Sequence, residues 1–129
     1  MTASSDLEST ARDLFDALDR KEFDRIIGMS TDDVQGVDEV SRGWLRSRAS
    51  FETYLQSLGE QVSNIHSTLN DIHTLELEDV GIVTFVLDQE YDMGGRHASI
   101  HAPTSLVLRR VDGAWRLALL HSVPLAEEG

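Results

Sequence analysis

Two runs of alternating apolar residues flank the dipeptide Asp112-Gly113, and no other feature of the sequence restricts the fold as much. A two-residue hairpin turn needs positive φ at both central positions, and Asp-Gly is among the few pairs that accept it. The spacing then predicts Val111 opposite Ala114, Leu108 opposite Leu117, Leu106 opposite Leu119 and Thr104 opposite His121. Successive side chains of a strand point to opposite faces. Leu106, Leu108, Trp115, Leu117, Leu119 and His121 therefore share one face, which reads as core. The other face carries Val107, Arg109, Arg116, Ala118 and Leu120. Its apolar members predict a second covered surface, a homodimer contact through the outer face of the sheet. Pro103 removes a ladder donor, so a bulge or bend is expected there, re-aiming His97 and His101 before it.

Upstream the period changes from two to that of a helix. Ser5-Asp6-Leu7-Glu8 has the form of a capping box. Leu7, Ala11, Leu14, Phe15 and Leu18 then form one stripe, which predicts a helix from Asp6 to Asp19. A shorter helix carries Phe23, Ile26 and Ile27 and ends near Gly28. Ser30 to Asp33 reads as a turn cluster before a short strand, Val34 to Val37. A third helix is expected from Ser47 to Gln61, with Phe51, Leu55, Leu58 and Val62 on one face and Tyr54 beside them. Three runs rich in β-branched and aromatic residues follow, with turn signals at Glu78 to Gly81, Asp92 to Gly95 and Asp112-Gly113. The expected class is α+β, three N-terminal helices on a curved antiparallel sheet, in one domain over residues 1–129.

Charge and composition exclude several functions. Asp and Glu total 23 against 11 Lys and Arg, a formal net charge of -12, and such a field repels phosphate backbones and anionic lipid. Neither a nucleic-acid nor a membrane partner is expected. Met1 to Thr10 lacks a basic segment followed by an apolar one, and the apolar stretches around Thr84 are too short to span a bilayer. The expectation is a soluble, cytoplasmic protein. With no cysteine, disulfides and thiolate chemistry are impossible. His97 and His101 share strand parity without a carboxylate at ligand spacing, and no HExxH motif occurs, so no metal is expected. A phosphate loop, a serine elbow and a dinucleotide fingerprint are absent as well, and no cofactor is expected.

Three helical segments, long meandering strands and the closing Asp-Gly-Ala-Trp-Arg-Leu-Ala-Leu-Leu-His-Ser together resemble the nuclear transport factor 2-like superfamily. Its SnoaL-like branch of polyketide cyclases is the nearest likeness, over roughly Leu7 to Pro124. The resemblance implies a cone with an internal pocket between helices and sheet, and in many members a dimer. Ala17-Leu18 through Asp32-Asp33 is similar in spacing to the steroid isomerases, which implies their general-base aspartate at Asp38. Leu14 stands where that branch has its oxyanion-stabilising tyrosine. Ile65-His66-Ser67-Thr68 resembles a histidine-bearing strand of the association domain of calcium/calmodulin-dependent protein kinase II, and Arg109-Arg110 through Ser122 its last hairpin. That likeness implies a pocket histidine at His66. Val86, Leu106 and Ser122 stand in place of its anion-binding arginines, which implies a more apolar pocket.

The candidate site follows from these readings. Asp38 and His121 are the expected catalytic pair for cofactor-free proton transfer, by isomerisation, cyclisation or dehydration. Trp44, Tyr54, His66, Tyr91 and Thr104 are expected to contact a small, mostly apolar ligand. Each has an ordinary structural role as an alternative. An aspartate beside a turn satisfies backbone donors, and a core histidine hydrogen-bonds to a neighbour such as Thr104. The competing function is a non-catalytic homodimerisation module built on the outer sheet face.

Overall fold

A computed structural model describes residues 3–124. Helix α1 spans Ala3–Asp19. It starts before Ser5, so the expected capping box lies inside the helix rather than at its boundary. Its apolar stripe holds as read, with Leu7, Ala11, Leu14 and Phe15 all buried. Lys21 ends it in the left-handed region, at φ 57. There Glu22 N donates to Ala17 O at 2.8 Å and Lys21 N to Leu18 O at 3.0 Å, which satisfies carbonyls that the last turn leaves without partners. Helix α2 covers Phe23–Gly28 and α3 covers Arg48–Gln61. Ser47 caps α3 and exchanges hydrogen bonds with Ser50.

Five strands follow this frame: β1 Ser30–Asp38, β2 Val62–Leu77, β3 Val80–Met93, β4 Arg96–Val111 and β5 Ala114–Ser122. Their order across the sheet is β1-β5-β4-β3-β2. Ser30 to Asp33 belongs to β1 rather than to a turn. Turn-forming residues are tolerated there because Ser30 Oγ bonds to Ile26 O and Arg48 donates to Ser30 O, both at 2.8 Å. After α3 the chain makes four strands, not three runs. Strand β2 is polar on its outer face as far as His73, with Leu75 and Leu77 exposed beyond it, and so shows a weak apolar signal. Two residues of β2 with positive φ, Asn64 and Asp71, sit at its register shifts. One pairing departs from an all-antiparallel sheet, since β1 runs parallel to β5.

The hairpin forms as its turn residues require, with Asp112 at φ 51 and Gly113 at φ 81. Val111 lies opposite Ala114 and Leu108 opposite Leu117. Beyond that the expected register fails. A bulge at Ala118 sets Val107 opposite Leu119, Leu106 opposite Leu120 and Thr104 opposite Ser122. One extra residue reverses the facing of everything after it. Leu119 and His121 therefore move to the outer face, while Leu120 and Ser122 turn inward. Pro103 causes no bulge and pairs in register with Val86. It lies just past the end of β5, where β4 has a free edge and a missing donor is tolerated.

The core lies between the helices and the inner face of the sheet. Phe15 meets Phe85 edge to face, with centroids 5.5 Å apart and planes at 87°. Leu7 lies so close to Gly81 that a Cβ there would collide with its Cδ2.

Candidate functional site

The helices and sheet leave a cavity of about 80 Å³, partly open to solvent. Its walls are apolar, with Leu14 from α1, Phe51 and Leu55 from α3, Ile65 from β2 and Leu120 from β5 among them. Polar groups come from Asp38, Glu39, Tyr54, Gln89 and Tyr91. Among the described residues no lysine, arginine or histidine lines it.

Asp38 is the last residue of β1, and its carboxylate is held from several directions. The Tyr54 hydroxyl lies 2.7 Å from each carboxylate oxygen. Val40 N and Ser41 N donate to Oδ1 at 3.0 and 2.8 Å. Asp38 thus performs the structural task of an aspartate at a turn while lining the cavity. Burial, followed by the charge of Asp38, pushes the Tyr54 hydroxyl well above the ordinary tyrosine range, so it remains a donor.

Glu39 follows where the chain leaves β1. It is half-buried against the cavity, and its one side-chain hydrogen bond among the described residues is a long 3.5 Å contact from the Tyr91 hydroxyl to Oε1. Burial, with the neighbouring charge of Asp38 as the next cause, raises its pKa to about 7. Both effects penalise the charged form when no cation is at hand. The Tyr91 hydroxyl is pushed up to about 12 by burial and then by Glu39. The result is a carboxyl group that both takes and gives a proton near neutral pH. Neighbouring hydroxyls remain protonated.

Tyr54 and Tyr91 line the cavity with Asp38. The other sequence-predicted residues lie elsewhere. His121 is exposed on the outer face, beside Trp44 with ring centroids 6.1 Å apart and planes tilted at 38°. Trp44 itself is 47% exposed and lies outside the cavity. His66 is exposed and pairs with Glu90 across the outer face. Thr104 is buried opposite Ser122, with their hydroxyls 2.9 Å apart, and is not among the lining residues. For His121 the cause is the bulge at Ala118. His66 follows from its register with Glu90, an outward position of β3.

Sequence reasoning passed over Glu39. Its signal was only its place, a second acid after Asp38 at the strand exit, where alternation ends and parity no longer predicts facing. Among the described residues no three His, Asp or Glu side chains are grouped so as to hold a metal ion.

A family model described as the SnoaL-like domain matches residues 7–126. No curated protein matches the chain. Solved structures share its fold at low identity. An NTF2-like protein from Streptomyces avermitilis, named as a candidate dehydratase, superposes with TM-score 0.88 at 18% identity, covering 96% of each chain. A ketosteroid isomerase-like protein from Erwinia carotovora atroseptica gives 0.82 at 16% identity, over 95% of this chain and 96% of that one. The CaMKII hub of S. rosetta gives 0.83 at 14% identity, over 97% and 98%.

Proposed function

The chain belongs to the SnoaL-like family, and from that premise we propose that its cavity binds a compact, mostly apolar molecule and that Glu39 exchanges a proton with it. The reaction class is cofactor-free isomerisation, cyclisation or dehydration. One observation carries this reading: Glu39, half-buried next to a second carboxylate, lines an apolar cavity with a single long hydrogen bond to restrain it, and that setting raises its pKa to about 7. A group whose pKa matches the working pH is the most effective proton carrier. Asp38, held by Tyr54, supplies the fixed charge that keeps Glu39 basic. The Tyr91 hydroxyl, close to Glu39 and not committed to Asp38, is the donor for a ligand oxygen. With about 80 Å³ available, the ligand is a single ring or a short chain, below the usual volume of drug-sized sites.

Thermal unfolding in the presence of single-ring ketones, lactones, alcohols and amines tests this. A ligand at a hundred times its Kd adds about 2.7 kcal/mol of apparent stability, a shift of several degrees for a domain of this size. The expected result is a shift with at least one compact class, absent in the cavity-filling variant Leu120→Trp. Proton transfer is read by deuterium uptake into the bound class in heavy water, and Glu39→Gln is expected to abolish it. If no compact ligand shifts the midpoint, the proposal fails.

A second role is compatible with the first. We propose that the chain self-associates through the outer sheet face, where Leu75, Leu77 and Val80 are exposed and the row Leu75, Ile82, Val107 and Leu119 crosses four strands. Exposed apolar side chains gathered on one face mark an interaction surface. Sedimentation velocity at micromolar concentration tests it, and a monomer at every concentration would rule it out.

A further inference from the structure

We infer that the occupant of the cavity is a cation: a compact apolar ammonium or iminium, not a carbonyl compound that becomes an enolate. The inference rests on reading the cavity as a ligand site and adds the sign of the ligand's charge.

The ionisable lining residues are Asp38, Glu39, Tyr54 and Tyr91, and none brings a positive charge. The two carboxylates are not equivalent. Asp38 has both oxygens occupied by Tyr54 and by backbone N–H groups, so its charge is satisfied in place. Glu39 has the single contact to Tyr91 at 3.5 Å. A buried carboxylate without a partner is costly, and a cation within hydrogen-bond reach removes that cost. An anionic ligand would add a third negative charge to this enclosure. A ketone that loses its α-proton to Glu39 only moves the negative charge onto the ligand, still facing Asp38, with neutral donors such as the Tyr91 hydroxyl and the Gln89 amide to receive it. A cation is stabilised by both carboxylates. The aromatic wall acts in the same direction, because Phe51, Tyr54 and Tyr91 line the cavity and ring faces attract positive charge. The apolar remainder accepts the hydrocarbon part of such a ligand.

Four probes with the same ring separate the possibilities: cyclopentylamine, cyclopentanol, cyclopentanone and cyclopentanecarboxylate. Their affinities are measured by calorimetry at pH 8 and about 0.15 M salt, which screens the acidic exterior beyond roughly 8 Å. The amine is expected to bind about tenfold or more tightly than the alcohol or ketone, and the carboxylate not at all. In Glu39→Gln the preference for the amine is expected to collapse to near parity. Glu39 faces Asp38 at the end of β1, Tyr54 from α3 and Tyr91 from β3, and burial beside Asp38 raises its pKa to about 7. Amine affinity should therefore fall between pH 8 and pH 6. The inference is overturned, with the cavity reading intact, if the ketone or alcohol binds as tightly as the amine, or if Glu39→Gln leaves the ratio unchanged. Amine binding that survives in a folded Leu120→Trp protein would assign it to the acidic surface and overturn the inference as well. Failure of all four probes would sink the cavity reading and the inference together.

Discussion

Glu39 lies one residue past Asp38, and that single step separates a carboxylate held by its neighbours from one left to the cavity. Its folded pKa is about 7 against an ordinary 4.5. The folded state therefore binds more protons than the unfolded state between these two values, and stability falls as pH rises through them. At 1.36 kcal/mol for each pKa unit the loss is about 3 kcal/mol at most. Glu39→Gln should remove that slope, matching the wild type at pH 4.5 and exceeding it in melting temperature at pH 8. A wild-type curve that is flat or rising from pH 5 to 7.5, with the variant parallel to it, would count against a strained Glu39. Gly81 gives a second test at this scale. Gly81→Ala drives a methyl group into Leu7, where α1 packs on the sheet. Overpacking of this kind costs about 1–3 kcal/mol, read as a lower midpoint in urea. An unchanged midpoint would mean that α1 moves aside freely.

Strand β5 separates what the sequence displays from what it conceals. The turn at Asp112-Gly113 was legible because its chemistry is local: two residues that accept positive φ. Helices α1 and α3 were legible from their apolar stripes. The bulge at Ala118 was not, because Leu119 and Leu120 are adjacent and identical, so either register places a leucine in the core. Only the residues beyond them distinguish the two, and they decide the site: the longer register turns His121 out and Ser122 in. Strand β1 was read too short because its first residues are turn-formers held by contacts from α2 and α3, which no local pattern reveals. Two substitutions check the register. His121→Ala should change stability by less than about 0.5 kcal/mol, as exposed positions do, and leave cavity binding intact. Ser122→Ala should cost about 1 kcal/mol, because it removes the partner 2.9 Å from Thr104 Oγ1 in a buried setting. The opposite ranking in denaturant titrations would restore the register that the alternation alone predicts.

At the scale of the whole molecule, the outer sheet face combines apolar side chains with every histidine in the chain. His66, His73, His97, His101 and His121 pair across the sheet with Glu90, Thr84, Asp92, Asp88 and Ser105, all outward positions. His97 lies with Nδ1 2.9 Å from Asp92 Oδ1 and Nε2 3.2 Å from Glu90 Oε1, the carboxylate oxygens accepting from whichever ring nitrogen is protonated, and these carboxylates raise its pKa. Two copies meeting on this face would each bring a formal charge of -12, so long-range repulsion opposes the apolar attraction. Added salt screens that repulsion, and protonation of the histidines reduces it at its source. Self-association should therefore strengthen from low to moderate salt and again from pH 8 to pH 6, as His97, its pKa raised by Asp92 and Glu90, gains its proton. Val107→Asp and Leu119→Asp should return the protein to monomer under all these conditions while leaving its fold unchanged by circular dichroism. The sign of the salt effect is the sharper criterion. If salt weakens the association, attraction between opposite charges must dominate the contact. The interface would then lie not on this apolar, histidine-bearing face but where arginines such as Arg20, just past α1, and Arg25 of α2 meet their carboxylates.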